Sequence, residues 1–92
     1  MKIELNLAET ALHRIKSAVV NRVGNRVREI DVRLTGNNGD TALVVSGISR
    51  TYYGKQLAQH GLFDLFDEPG HKLFEALGIN HKPQIVNEIE VI

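Results

Sequence analysis

The segment that most restricts the fold lies between Val27 and Ser49, where two runs of β-forming residues flank TGNNGD. In the first run Ile30, Val32 and Leu34 alternate with Glu29, Asp31 and Arg33, so apolar side chains line one face of a strand and charges the other. In the second, over residues 41–49, Leu43, Val45 and Gly47 share a face. The asparagines and glycines of residues 35–40 supply the positive φ angles of a tight connection, which makes the two runs a hairpin. A glycine inside a strand weakens it, and Gly47 therefore marks a place where another element passes close to the backbone.

Two helical patterns surround this hairpin. Over residues 9–23, Ala11, Leu12, Ile15, Ala18, Val19 and Val23 recur at spacings of three and four and form one stripe, with Arg14, Lys16 and Arg22 outside it. Gly24 and Asn25 follow where a left-handed C-terminal cap is wanted. After the hairpin, Thr51 is placed to cap a helix carrying Tyr53, Leu57, Ala58, Gly61, Leu62 and Leu65 on one side. Of the paired tyrosines, Tyr53 is expected inward, at i−4 from Leu57, and Tyr52 outward. The segment DLFDEPG should break this helix from Asp64, because the residue before Pro69 is pushed out of helical backbone. A helical turn over 71–77, ended by Gly78, and a strand in QIVNEIEVI with an irregularity at Asn87 complete the chain. At the other end Ile3, Leu5 and Leu7 alternate with Lys2, Glu4 and Asn6, as an edge strand would. The expected fold is α+β, a small αββαβ sandwich with two helices on one face of a three-stranded mixed sheet, edged by residues 3–7. An uncovered face or edge of such a sheet favours homo-oligomers.

Ninety-two residues make one domain with a lean core, since a chain of this size buries only about two-thirds of its unfolded surface. With no cysteine, the chain has no disulfide framework, thiolate nucleophile or cysteine zinc site. The N-terminus MKIELNLAETALHRIK has neither the apolar core of a signal peptide nor a membrane-spanning run. The location expected of the sequence as it stands is cytoplasmic, or periplasmic or membrane-associated if a leader has been removed. Net charge is zero, yet residues 11–34 hold six bases against two acids, and residues 56–92 two bases against six acids. Such a layout steers acidic partners to one end or lets copies associate head to tail.

No catalytic constellation emerges from the residue types. The four histidines, His13, His60, His71 and His81, show no i, i+4 or His-X-His spacing, so no metal site is expected. The serines of VVSGIS lie in a strand without the turn that presents a nucleophile. Asp64, Asp67 and Glu68 beside Pro69 suit a solvated loop or a helix cap. GNNG matches the backbone-clamping loop of KH domains, but there it joins helices and here strands. Tyr52 beside Arg50 and Lys55 is the better argument for nucleic acid, a ring to stack bases and cations to meet phosphates. The apolar Leu62, Phe63, Leu65, Phe66, Leu73, Phe74 and Leu77 either close over the end of the sheet or form a contact patch. Asp64, Asp67, Glu68 and Glu75 argue against an anionic bilayer at that end.

Residues 30–53 (IDVRLTGNNGDTALVVSGISRTYY), the following KQLAQ and the closing GINHKPQIVNEIEV together resemble the BON domain, a small bacterial module named from osmotically induced and nodulation proteins. The most telling points are Gly47, the run Thr51, Tyr52, Tyr53, then Lys55, Gln56, Leu57, Ala58, and the terminal VNEIEV. Ser49 departs from the family's small apolar residue, and residues 66–80 read as an insertion of about a dozen residues. The resemblance implies a non-catalytic module that binds phospholipid membrane or other cell-envelope components, or a protein partner, without a cofactor. Nucleic acid is the alternative. Arg50, Tyr52 and Lys55, with Arg14 and Arg22 of the basic half, are the expected contact residues, and Gly47 and Tyr53 the structural ones.

Overall fold

The computed structural model describes residues 7–37, 40–67, 77–78 and 83–92. Helix α1 (Leu7–Val23) passes through a 3-10 turn (Gly24–Arg26) into strand β1 (Val27–Asn37). Strand β2 (Asp40–Ser49) runs back antiparallel to it, helix α2 (Tyr52–Asp67) follows, and strand β3 (Gln84–Val91) pairs parallel with β2. The sheet order is β1-β2-β3, so the mixed sheet has β2 at its centre. The α+β arrangement expected from the sequence is the one observed.

One face of the sheet carries the core. Ala11, Ile15, Val19 and Val23 descend α1 at intervals of four and meet Val27, Ile30, Val32, Leu43 and Val45 of the hairpin, with Ala58, Leu62 and Phe66 of α2 and Ile89 of β3 closing the cluster. Each fully buried aliphatic side chain here, such as Ile15 or Leu62, contributes about 1.5–3 kcal/mol by leaving water. Gly24, at φ 58°, turns the chain out of α1 as its cap position requires. Leu7 belongs to α1 and not to an edge strand, while residues 3–6 lie outside the described residues. α2 continues past Asp64 to Asp67, so Phe66 fills the core from the helix, beside Leu62, rather than from an insertion. Of the turn expected over 71–77, Leu77 is described and is buried in the same core.

The hairpin contains a bulge that sets the orientation of everything before it. The register shifts between Arg28 and Asp31, so that Glu29 and Ile30 together oppose Gly47. Glu29 takes a φ of 55°, in the left-handed region, and the alternation changes phase there. Val27 and Ile30 consequently both face the helices, and Arg28 faces the other side of the sheet. The bulge is also what comes close to Gly47. A Cβ on that residue would lie 2.9 Å from the Arg28 carbonyl oxygen and 3.0 Å from Val27 Cγ1.

On the face away from the helices, the register places Arg33, Val44 and Val86 in one row, then Asp31, Ser46 and Glu88, then Arg28, Ile48 and Glu90. Arg33 Nη2 meets Glu88 Oε1 at 3.1 Å, an ion pair that spans the central strand diagonally from the Val44 row to the Ser46 row. With both side chains about half exposed it contributes at most about 1 kcal/mol. The ladder of β3 runs unbroken from Gln84 to Val91, so the irregularity expected at Asn87 is absent from the backbone. It resides in the side chain: Asn87 Nδ2 donates to the Lys55 carbonyl at 2.9 Å and to Gln59 Oε1 at 3.3 Å, and Oδ1 accepts the Ile89 N–H at 3.1 Å. A polar residue on the core side thereby ties β3 to α2 with its bonding groups satisfied.

Candidate functional site

The junction between β2 and α2 is tightly made. Ser49, almost fully buried, donates from Oγ to the Thr51 carbonyl at 2.7 Å and accepts the Thr51 N–H at 3.2 Å. Thr51 Oγ1 then accepts the Gly54 N–H at 3.1 Å, which makes Thr51 the N-cap. Gly54 is buried, and a Cβ there would lie 2.5 Å from Ser49 Oγ and 3.2 Å from both the Cβ and the carbonyl oxygen of Arg26. The first turn of α2 is thus pressed onto the end of β2 and onto the 3-10 turn at a contact only glycine fits.

This contact overturns the expectation for Tyr53. The buried line of α2 is Gly54, Ala58, Leu62 and Phe66, and Tyr53 stands one residue, about 100° of helical rotation, away from it. Tyr53 is 56% exposed and Tyr52 68% exposed, and the Arg26 guanidinium lies 5.4 Å from the centroid of the Tyr53 ring. Neither tyrosine anchors the helix in the core. Tyr53 instead stacks with a cation, an arrangement contributing about 0.5–1 kcal/mol at an exposed site.

At the open end of the hairpin, Asn25, Arg26, Arg28, Ile48, Arg50 and Thr51 line a notch of about 300 Å³. Its construction follows from the register. Val27 pairs with Ser49 and Arg28 with Ile48, so the residues on either side of those pairs, Arg26 before β1 and Arg50 after β2, are brought to the same end of the sheet. The three arginines are exposed, and neither Arg28 nor Arg50 has an ion-pair partner among the described residues. No carboxylate occurs among the described residues that line the notch. Glu90 stands beyond Ile48 on the β3 side. Three fixed positive charges around one opening focus a positive potential there and attract anions.

Of the residues expected to make contacts, Arg50 lines this notch and Tyr52 is exposed on the adjoining first turn of α2. Lys55 is half-buried on that turn, and Arg14 is exposed on α1; neither lines the notch. Arg22 is engaged elsewhere: its Nη2 lies 3.0 Å from Asp64 Oδ2, and its stem packs against Gly61, pinning α1 to α2. The sequence reading missed Asn25, Arg26 and Arg28. The signal that finds them is their position just before and at the start of β1, opposite the end of β2, once the hairpin register is drawn.

A second opening, of about 240 Å³, lies between α1 and β1 and is lined by Glu9, Leu12, His13, Lys16, Asp31 and Val32. His60 is exposed on α2, and His71 and His81 lie outside the described residues. Among the described residues no three His, Asp or Glu side chains gather as a metal site, and no helix is long and apolar enough to cross a membrane. Comparison of the chain with protein-family models, with curated proteins and with solved structures finds no match.

Proposed function

We propose that the chain is a non-catalytic binding module of the BON type that docks on anionic phospholipid surfaces through its arginine notch. The observation that carries this reading is the convergence of Arg26, Arg28 and Arg50 on one opening whose described lining has no acid. Guanidinium groups present paired N–H donors that match phosphate oxygens. A basic residue held near an anionic leaflet contributes about 1 kcal/mol, so three supply about 3 kcal/mol before any specific bond is counted. Tyr52 and Tyr53, exposed next to the notch, are amphipathic side chains suited to the headgroup layer. The α+β order, with helices on one face of a mixed sheet, is also the fold that the resemblance to BON domains implies.

Co-sedimentation with neutral and with anionic vesicles, at low and moderate salt, tests the reading. Retention by anionic vesicles alone, weakening as salt is raised, is the expected result. Absence of retention at low salt would remove membrane docking. Unchanged retention of Arg28→Gln/Arg50→Gln would remove the notch as the contact surface.

The exposed tyrosines beside the arginines also support a second reading, a small nucleic-acid-binding protein in which the rings stack on bases. Salt-sensitive retention on single-stranded DNA or RNA, lost in Arg50→Ala/Tyr52→Ala, favours it over the first. Light scattering on the same sample would register self-association, the remaining form of an assembly role.

A further inference from the structure

We infer that the notch selects phosphate by charge, taking a phosphomonoester in preference to a phosphodiester; this rests on the membrane-docking reading and specifies the headgroup it prefers. Three arginines line one opening, and its described lining supplies no negative charge to offset them. A diester brings one negative charge, whereas a monoester near neutral pH brings about 1.5–2. The monoester therefore relieves more of the repulsion among Arg26, Arg28 and Arg50 and leaves less positive charge unmatched.

The donor set points the same way. A diester offers two unesterified oxygens and a monoester three, and each guanidinium presents a planar fork that engages two oxygens. The three arginines of the lining belong to separate backbone segments, the 3-10 turn, β1 and the β2–α2 junction. Asn25 and Thr51 add an amide and a hydroxyl to the lining. The positive end of the 16-residue helix α2 starts immediately after Thr51, adding its partial charge in the same place.

The framework behind the arginines is already fixed, which lowers the cost of ordering them around a ligand. Arg26 is held at its stem against Gly54 and at its head over Tyr53. The Arg28 backbone is seated against Gly47 by the bulge. Arg50 lies within the Ser49–Thr51 hydrogen bonds of 2.7 and 3.2 Å.

The experiment compares phosphatidylcholine vesicles carrying phosphatidic acid with phosphatidylcholine vesicles carrying twice the mole fraction of phosphatidylglycerol, at mildly alkaline pH and constant ionic strength. Surface charge is then matched, and the headgroups differ in being monoester or diester. The expected result is about tenfold tighter binding to phosphatidic acid, equivalent to about 1.4 kcal/mol. That preference should vanish in Arg28→Gln and in Arg50→Gln and persist in Arg14→Gln. All three residues are exposed, so the variants should melt as the parent does. Equal binding to the two vesicles would overturn the inference and leave membrane docking standing, whereas binding to neither would overturn both. Glycerol 3-phosphate in excess should displace the protein from phosphatidic acid; failure to compete would overturn the notch as a monoester site.

Discussion

Two openings among the described residues are of similar size, both bordered by β1, and they differ in one respect. The α1–β1 cleft is lined by Glu9 and Asp31 as well as by His13 and Lys16, so acids and bases share the lining. Around the notch every charged residue of the described lining is an arginine. The lining of the cleft carries charges of both signs. That of the notch carries one sign, and that difference carries more information than the volume of either opening. Like charges gathered around one opening repel one another, which costs the fold stability. An anion that enters recovers that cost.

The largest effect should come from abolishing the difference directly. Arg28→Gln/Arg50→Gln should weaken binding to anionic vesicles by about 2 kcal/mol, roughly 30-fold, while Lys16→Gln in the balanced cleft leaves it unchanged in the same sedimentation assay. Next in size is Gly54→Ala, which disturbs the notch without altering an arginine. Its added methyl would meet Ser49 Oγ and the Arg26 backbone. Overpacking set against the gain in helix propensity should leave a loss of about 1–2 kcal/mol in urea unfolding. Adding Ser49→Gly should restore part of that stability, whereas strict additivity of the two losses would show that they do not meet.

A smaller effect is expected at Asn87, which supports α2 away from both openings. Asn87→Ala removes its bonds to Lys55 and Gln59 and should cost about 1 kcal/mol in thermal unfolding. Vesicle binding by the folded protein should stay at the parent level, which separates loss of stability from loss of the site. The smallest belongs to Arg22, paired with Asp64 on the surface. Arg22→Ala should cost about 0.5 kcal/mol, and the part due to the ion pair should shrink in molar salt.

Much of the architecture was legible because it depends on local periodicity. The stripe of α1, the hairpin, the Thr51 cap and the final strand all follow from spacings within a few residues. Tyr53 was misread because an aromatic ring ordinarily outranks a glycine for a buried position. What decided the matter was the close approach of Ser49 and Arg26 to Gly54, a contact between segments far apart in sequence. The notch was half legible for the same reason. Arg50 stood out beside the tyrosines, but Arg26 and Arg28 join it only through the register of the hairpin. A trace of the bulge was present all along, since Val27 and Ile30 cannot both face inward in a strand of strict alternation. Arg22 looked like free charge because Asp64, its partner, lies on another helix.

The parallel pairing of β3 with β2 has a kinetic consequence. The β1–β2 hairpin needs only a short loop to close and can zip within microseconds. β3 reaches the edge of β2 only across a long crossover that includes α2, so its pairing is expected to be the late, high-contact-order step. Until then the outer edge of β2 offers its unpaired amides to any extended segment nearby. Native-state hydrogen exchange should bear its mark, with β3 amides exchanging ahead of those shared by β1 and β2.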